Sequence, residues 1–201
     1  MGPEIGQDPV LMSPDFKHQP SSEYSDPGGD SRIREGFFQR DVLEVAPDLL
    51  GKVLVRRLDD GGLLSAGIAE VEAYRGKEDL ACHASRGRTD RTKVMYGPGG
   101  YVYVYLIYGM YWMLNFVTGQ RDVPQAVLIR GTETVSGPGR LTRYFAIGSD
   151  FYGECLWKSD RLWLEDHGQR VRILTGPRIG VEYAGEYWAS RPWRFRSDPG
   201  S

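Results

Sequence analysis

Apolar and polar residues alternate along several short stretches of the chain, as expected for strands that bury one face. Residues 52–58 alternate in this way, residues 59–62 are Asp and Gly only, and residues 63–74 alternate again. This order predicts a β-hairpin with a tight turn between its two strands. Residues 101–117 are dense in Tyr and Val and are interrupted only by Gly109, which predicts a second hairpin with its tip at Tyr108-Gly109.

Helical signals are fewer than strand signals. Asp41 can cap a short helix that runs to Leu50, and Gly51 is placed to end it. Pro138 suits the first turn of a helix over residues 140–147. Further strands are predicted at residues 125–132, 161–165, 171–174 and 179–183. The fold class that follows is α+β, a single domain in which antiparallel β-hairpins form a curved or partly open barrel-like sheet with a few flanking helices.

Charge is distributed unevenly between the two parts of the chain. Residues 1–31 are rich in Pro, Ser, Gly and Asp without an apolar period, which predicts a disordered N-terminal tail before a domain at residues 32–201. The tail holds six acidic residues and one basic residue, so a chain of net charge -2 keeps a domain of about +3. Arginine dominates the basic residues and suits phosphate, but codon usage explains an arginine-rich chain equally well. Charge alone therefore identifies no partner.

Several classes of protein do not fit the composition. No apolar stretch approaches the roughly 20 residues of a membrane-spanning helix, and the N-terminus lacks the apolar core of a secretory signal. We therefore expect a cytoplasmic protein without membrane contact. Cys82 and Cys155 lie far apart without paired spacing, which favours reduced thiols over a disulfide framework or a zinc site. Neither a metal nor a cofactor is predicted.

The first candidate site is the segment EVEAYRGKEDLACH at residues 70–83. Glu70, Glu72 and Tyr74 share one face of the predicted strand, because side chains alternate with a period of two. Glu72 is expected next to the mouth of the long loop that follows, at residues 75–100. Loops of this length inside compact domains are usually functional or disordered. The alternative interpretation is a solvated strand end that carries ordinary surface acids.

The second candidate site is the hairpin YVYVYLIYGMYWMLN at residues 101–115. Tyr101, Tyr103 and Tyr105 form an aromatic stripe on one face of the first strand, and such stripes more often belong to a core than to a ligand site. Tyr108 at the tip does not fit a core. An exposed aromatic residue at a hairpin tip suits insertion into a stack of bases.

Basic residues form the third candidate. Arg130 ends an apolar strand, and the segment SRGRTDRTK at residues 85–93 carries four basic side chains in nine positions. A loop of this kind can hold phosphate through backbone amides and side chains, and the candidates are Arg86, Arg88, Arg91 and Lys93. A solvated basic loop is the equally simple alternative.

These motifs in their order resemble the alkyladenine (3-methyladenine) DNA glycosylase family of bacteria and mammals. The resemblance spans residues 38–195 and is densest over residues 68–147. It rests on Glu-Ala-Tyr at 72–74 with His83 downstream, the Tyr-Val-Tyr run that closes on Tyr-Gly-Met-Tyr at 108–111, Asn115 with Arg130, Gly-Pro-Gly-Arg-Leu at 137–141, and PRIGVEYAGEYWASRPWRF at 177–195.

The resemblance implies a base-excision repair enzyme, so residues 32–201 are predicted to be a glycosylase domain. Such an enzyme would be a monomer that flips alkylated or deaminated purines from double-stranded DNA and hydrolyses the N-glycosidic bond without a lyase step. Glu72 would be the general base that activates the water, and Arg130 would hold the phosphate of the flipped nucleotide and help to place the water.

The resemblance also assigns the substrate-binding residues. Tyr74 would stack on one side of the purine, with His83 and Tyr105 on the other, and the His83 backbone amide would donate to the purine edge. Asn115 would line the pocket floor and disfavour the 2-amino group of guanine. Tyr108 would be the wedge that fills the gap left in the duplex.

Two other functions remain open from the sequence. The aromatic hairpin could serve a damage-binding module without catalysis, and barrel-like folds of this kind also occur among enzymes that modify tRNA. Release of free base from alkylated DNA in the presence of a chelator distinguishes an enzyme from a binding module. Competition between duplex DNA and tRNA distinguishes the two nucleic acids.

The proposed pocket requires a particular register of the second hairpin. With Tyr108 and Gly109 alone in the turn, Tyr105 and Asn115 would point to opposite faces of the sheet. The pocket needs both side chains on one face. We therefore predict one extra residue in the turn or a bulge, which Gly109 makes easy because it tolerates positive φ.

Overall fold

The computed structural model describes residues 31–198. The helices in this part of the chain are α1 (Glu35–Phe38), α2 (Val42–Asp48), α3 (Pro138–Tyr144) and α4 (Glu186–Ala189). The strands are β1 (Val53–Arg57), β2 (Leu63–Arg75), β3 (Val102–Ile107), β4 (Tyr111–Thr118), β5 (Gln125–Thr132), β6 (Leu162–Glu165), β7 (Ile173–Gly176) and β8 (Arg194–Ser197). Four single turns of 3₁₀-helix lie at His83–Arg86, Lys93–Tyr96, Ser149–Phe151 and Glu182–Ala184.

Strand β2 is the centre of a curled antiparallel sheet. The main path of the sheet runs β3-β4-β5-β2-β1-β6, and β8 pairs with β2 and β7. The first part of β2 pairs with β1, and the second part pairs with β5 on one side and β8 on the other. The register between β2 and β5 shifts on both sides of Glu70, so the sheet bends there into a half-barrel. The predicted α+β fold with a partly open, barrel-like sheet is confirmed.

The main hydrophobic core lies on the inner face of this sheet. Val102 and Val104 of β3 and Leu114 and Phe116 of β4 belong to this core, in which helix α3 packs against β4. The other faces of β3 and β4 carry Tyr103, Tyr105 and Asn115 into the cavity described below. The hairpin therefore separates the main hydrophobic core from the cavity on its opposite face, as its alternating pattern predicts.

Local capping signals were sufficient for helix α2. The side chain of Asp41 accepts a hydrogen bond from the Leu43 amide at 2.9 Å, and Gly51 adopts a φ of 80° shortly after the helix ends. The predictions for the hairpin of β1 and β2, for β5, for helix α3 and for strand β6 are also confirmed within one to three residues.

Two predictions for the C-terminal part were wrong. Residues 179–183 do not form a strand, because the Ile179 amide donates to the side chain of Glu72 and the chain then makes a 3₁₀ turn at Glu182–Ala184. The strand expected at 171–174 begins later, at Ile173–Gly176, and its partner β8 was not predicted. The tail predicted at residues 1–31 lies outside the described residues except for Ser31.

The register predicted for the second hairpin is confirmed. Tyr103 pairs with Asn115 and Tyr105 pairs with Met113, so three residues, 108–110, lie in the turn. Tyr108 and Gly109 both have positive φ (51° and 69°), and the Met110 amide donates to the Ile107 carbonyl at 3.1 Å. The turn is thus of type I′ with Met110 as the extra residue, and it directs Tyr105 and Asn115 to one face.

No helix in the described part of the chain has the length and apolar character that crossing a membrane requires.

Candidate active site

A cavity of about 350 Å³ opens on the outer face of the β3–β4 hairpin. Its walls come from the end of β2, both strands of the hairpin, β5, the turn at His83 and the segment 179–183. The structure brings together all four residues predicted to bind substrate, and the lining includes Tyr74, His83, Tyr105 and Asn115. It also brings Arg130 and Tyr108 to the same cavity.

Aromatic rings form much of the wall. The rings of His83 and Tyr105 meet edge to face, with centroids 4.5 Å apart, and the rings of Tyr105 and Tyr103 are 5.3 Å apart. Tyr74 reaches the cavity from β2. The electron-rich face of an aromatic ring can stack on a purine and attracts a cationic one more strongly.

Glu72 is fully buried and contacts three residues of the cavity wall, Tyr74, Arg130 and Ile179. The Ile179 amide donates to Oε1 at 2.8 Å, and the Tyr74 hydroxyl donates to Oε2 at 2.9 Å. Glu72 lies three residues before the end of β2, close to the loop that follows, but its carboxylate is buried because β8 pairs with β2 opposite Glu72 and the segment at Ile179 covers it. The alternative of a solvated surface acid is wrong for the same reason.

The carboxylate of Glu72 belongs to a row of alternating acidic and basic side chains. Arg130 Nε lies 3.4 Å from Glu72 Oε1 and 3.1 Å from Glu70 Oε1, and Arg194 Nη1 lies 3.5 Å from the same Glu70 oxygen. Burial raises the pKa of Glu72 above 4.5, while Arg130 and the two hydrogen bonds oppose the shift. A carboxylate with a raised pKa binds a proton more readily, as a general base requires.

His83 is neutral at neutral pH. Burial and the nearby guanidinium groups of Arg91 and Arg86 lower its pKa to about 4. Its Nδ1 lies 2.8 Å from the Tyr103 hydroxyl, and its Nε2 lies 3.0 Å from Nη2 of Arg91. These contacts fix the ring at the cavity wall, where a neutral imidazole can stack without repelling a cationic purine.

Asn115 is held rigidly at the cavity. Its Nδ2 donates to the backbone carbonyls of Tyr103 and Met113 at 3.1 and 3.2 Å, which uses both amide protons. Among the described residues no group donates to its side-chain oxygen. A fixed amide of this kind can reject a substituent by shape, because it cannot turn away without losing two hydrogen bonds.

Tyr108 projects from the hairpin tip with 85% of its surface exposed, beside Met110 at 63%. A large aromatic residue that is exposed and held at positive φ has no packing role, so the core alternative does not apply to it.

The four basic residues of the loop take up two kinds of position. Arg91 stacks over Tyr105 at 5.0 Å from its ring centroid, and Arg86 faces the same side. Arg88 lies over the Tyr96 ring instead, and Lys93 pairs with Asp90 at 3.6 Å. The segment therefore does not act as one uniform basic patch.

A buried ion pair behind the cavity was missed by the sequence analysis. Asp79 and Arg178 both have fully buried side chains and meet through two hydrogen bonds. The guanidinium also lies 4.8 Å from the centre of the Tyr74 ring. An acid in EDLACH and an arginine in PRIGV are common surface residues, and no spacing signal connects positions that are 99 residues apart.

No cluster of three or more metal-ligating side chains occurs among residues 31–198.

The comparisons with known proteins agree with the geometry. A model of the methylpurine-DNA glycosylase (MPG) family matches residues 36–199. A relative in Methanocella arvoryzae is 46% identical over 79% of this chain and 88% of its own length. Another, in Legionella pneumophila (strain Lens), is 48% identical over 82% of this chain and 93% of its own length. Both carry the provisional name 3-methyladenine DNA glycosylase. The chain therefore belongs to the methylpurine-DNA glycosylase family and is a DNA glycosylase of base-excision repair.

Proposed function

We propose that this enzyme flips alkylated or deaminated purines out of double-stranded DNA and hydrolyses their N-glycosidic bond with water activated by Glu72. The names of its relatives point to 3-methyladenine as one substrate. The observation that carries the proposal is the position of the Glu72 carboxylate, buried under an aromatic cavity between Arg130 and Tyr74.

The energetics of base flipping fit the cavity. Extruding a nucleotide costs a few kcal/mol, and least for a damaged or mispaired base. Stacking on an aromatic side chain returns about 1–3 kcal/mol per base. Tyr74, His83 and Tyr105 supply these surfaces, and an alkylated purine gains further from its positive charge.

Hydrolysis needs a carboxylate close to the sugar. As the glycosidic bond breaks, positive charge develops on the sugar, and a nearby carboxylate both stabilises that charge and takes a proton from the attacking water. Arg130 orients the carboxylate of Glu72. We expect a monofunctional enzyme, because a lyase step needs a nucleophilic amine and none of the described residues that line the cavity is a lysine.

The decisive experiment is release of free base from duplexes that each carry one lesion, 3-methyladenine, 7-methylguanine, hypoxanthine or ethenoadenine, in buffer with a chelator. We expect free purine and an intact abasic strand. Tight binding without release would indicate a damage-binding module instead, and stronger competition by tRNA than by duplex DNA would indicate an RNA-directed protein.

The pH profile tests the role of the buried carboxylate. Excision should be lost as the pH falls through the pKa of Glu72, because only the ionised form is a base, and burial places this loss above the pKa of an ordinary glutamate. Glu70→Gln should move the pH at which excision is lost to a lower value, since the change removes a negative charge next to Glu72. Of the two carboxylates that pair with Arg130, only that of Glu72 then remains. The groups that face Glu72 are Arg130, Tyr74, the Ile179 amide, Glu70, Arg178 and Tyr105.

Single-turnover rates at saturating enzyme measure this shift without interference from DNA affinity. Glu44→Gln, at an exposed position on helix α2, is the control for the loss of one negative charge. A Glu70→Gln profile that stays in place or moves to higher pH would contradict the assigned electrostatics.

Tyr108→Ser should weaken binding to lesion-containing duplex while the melting temperature stays within a degree or two, because the exposed tip contributes little to the core. The effect should be smaller when the lesion is already unpaired. Tyr108→Asn is a matched variant, since Asn tolerates the positive φ of this position and removes only the ring. A sharp fall in melting temperature for both variants would make Tyr108 a structural residue and end the wedge hypothesis.

Asn115→Ala should release guanine, or guanine-type lesions, faster relative to hypoxanthine, because the fixed amide no longer excludes the 2-amino group. The two rates are compared within the same variant, so that any loss of folded protein cancels from the ratio. An unchanged ratio would remove Asn115 from purine selection.

A further inference from the structure

A second, smaller cleft of about 240 Å³ lies beside the base cavity. The two spaces share Ala81, Cys82, His83 and Tyr183 in their walls, and the cleft is completed by Leu80, Arg86, Thr89, Arg91 and Thr92. Tyr183 stands between the two spaces. Its hydroxyl donates to the Ala81 carbonyl at 3.1 Å, yet 65% of its surface is exposed.

Two arginines, Arg86 and Arg91, line the cleft. Among residues 31–198 no carboxylate lies within 4 Å of either Arg86 or Arg91, whereas Arg130 lies between Glu70 and Glu72. The two uncompensated charges also act on His83, where Arg91 and Arg86 both contribute to the lowered pKa. The positive potential thus converges on the space between the loop and Tyr183.

This arrangement changes where the DNA backbone can be held. Arg130 was predicted to hold the phosphate of the flipped nucleotide, but its charge is already offset by two carboxylates. The two arginines of the cleft, which no described carboxylate neutralises, are the stronger anion ligands, since a guanidinium can donate two parallel hydrogen bonds to one phosphate. When a purine fills the base cavity, its own strand must pass over the rim of that cavity, and the cleft opens on part of the same rim.

We propose that this cleft binds one backbone phosphate of the strand that carries the flipped purine, through Arg86 and Arg91. The proposal rests on the proposed function. It distinguishes these two residues from Arg88 and Lys93, which belong to the same loop but stack on Tyr96 or pair with Asp90 outside the cleft. The phosphate contact in the cleft therefore fixes the position of the lesion strand along the enzyme. The other basic residues of the loop do not fix this position.

The first test measures the salt dependence of binding to a duplex with a single 2′-fluoro-ethenoadenosine, whose glycosidic bond resists cleavage. Each phosphate contact contributes about 0.9 to the log–log slope. Arg86→Ala should lower the slope by about that amount and weaken binding about tenfold, while Arg88→Ala and Lys93→Ala, the matched controls, change each much less. Equal effects for Arg86→Ala and Arg88→Ala would reduce the cleft to a general basic surface.

The second test identifies the phosphate itself. Single methylphosphonates, which are neutral, are placed one at a time at the positions flanking the lesion on both strands. At one position on the lesion strand, neutralisation should weaken binding of the wild-type enzyme about tenfold and have no further effect on Arg86→Ala. Coupling at no position, or only on the opposite strand, would overturn the proposal.

Two controls separate the possible causes of failure. Arg91 also contacts His83 and Tyr105, so its removal would disturb the wall of the base cavity. The alanine substitution is therefore made at Arg86, and Arg91 is changed only to Lys, which keeps the charge. The wild-type enzyme is also assayed for base release on duplexes that carry each of the four lesions on an ordinary sugar. Release of any of them without coupling refutes only the cleft, whereas the absence of release from all four refutes the proposed function.

Discussion

Glu72→Gln is expected to bind a lesion-containing duplex as tightly as the wild-type enzyme and to release the base at least about 100-fold more slowly, the low end for loss of a general base. The amide has the size of the carboxylate but cannot accept a proton from water or offset charge on the sugar. Single-turnover excision and equilibrium binding measured on the same duplex separate the two effects. Near-normal excision would remove Glu72 from the mechanism.

The stability of the same variant provides an internal control. Burial raises the pKa of folded Glu72 above 4.5, so its ionisation opposes folding at neutral pH, and this cost disappears as the pH falls below 4.5. Glu72→Gln should therefore melt no lower than the wild-type enzyme at pH 7.5, and the two should converge at low pH. Arg130 keeps Glu70 as its partner in the variant. A lower melting temperature at neutral pH would show that the carboxylate is needed for folding, and the lost activity would then need another explanation.

The parts of the site that the sequence predicted depend on local rules. Alternation along the β3–β4 hairpin separates core residues such as Val104 from cavity residues such as Tyr103. The need to bring Tyr105 and Asn115 to one face even predicted the extra residue in the turn. The first conclusion needs only the period of a strand, whereas the second combines that period and the backbone freedom of a glycine with the pocket that the family resemblance implies.

The parts that the sequence did not predict depend on contacts between distant segments. Residues 179–183 have the composition of a strand, but the Ile179 amide donates its hydrogen bond to the side chain of Glu72, 107 residues earlier. The same contact explains why Glu72 is buried although it lies near the end of β2. Alternation describes the two faces of a strand, and it does not show which distant segment will cover one of them.

The largest effect on stability is expected for Asp79→Ala. Arg178 is fully buried, and its guanidinium is sandwiched 4.8 Å from the Tyr74 ring and 5.0 Å from the Trp193 ring. Without Asp79 none of the described carboxylates pairs with this charge, and a buried charge left unpaired typically costs about 3–5 kcal/mol. For a chain of this size the loss corresponds to a melting temperature lower by roughly 6–20 °C. Thermal and urea unfolding measure it.

Activity should fall together with stability, because Arg178 precedes Ile179, whose amide holds Glu72. The double variant Asp79→Ala/Arg178→Met separates two explanations for the loss. If an uncompensated charge destabilises Asp79→Ala, replacing the arginine by an apolar chain of similar length should restore much of the lost free energy of unfolding. The hydrogen bonds that Asp79 accepts from the backbone amides of Arg75 and Ala81 would still be missing, so recovery should be incomplete. A double variant as unstable as Asp79→Ala would mean that these backbone contacts, and not the ion pair, hold the segment of Arg178 and Ile179 over Glu72.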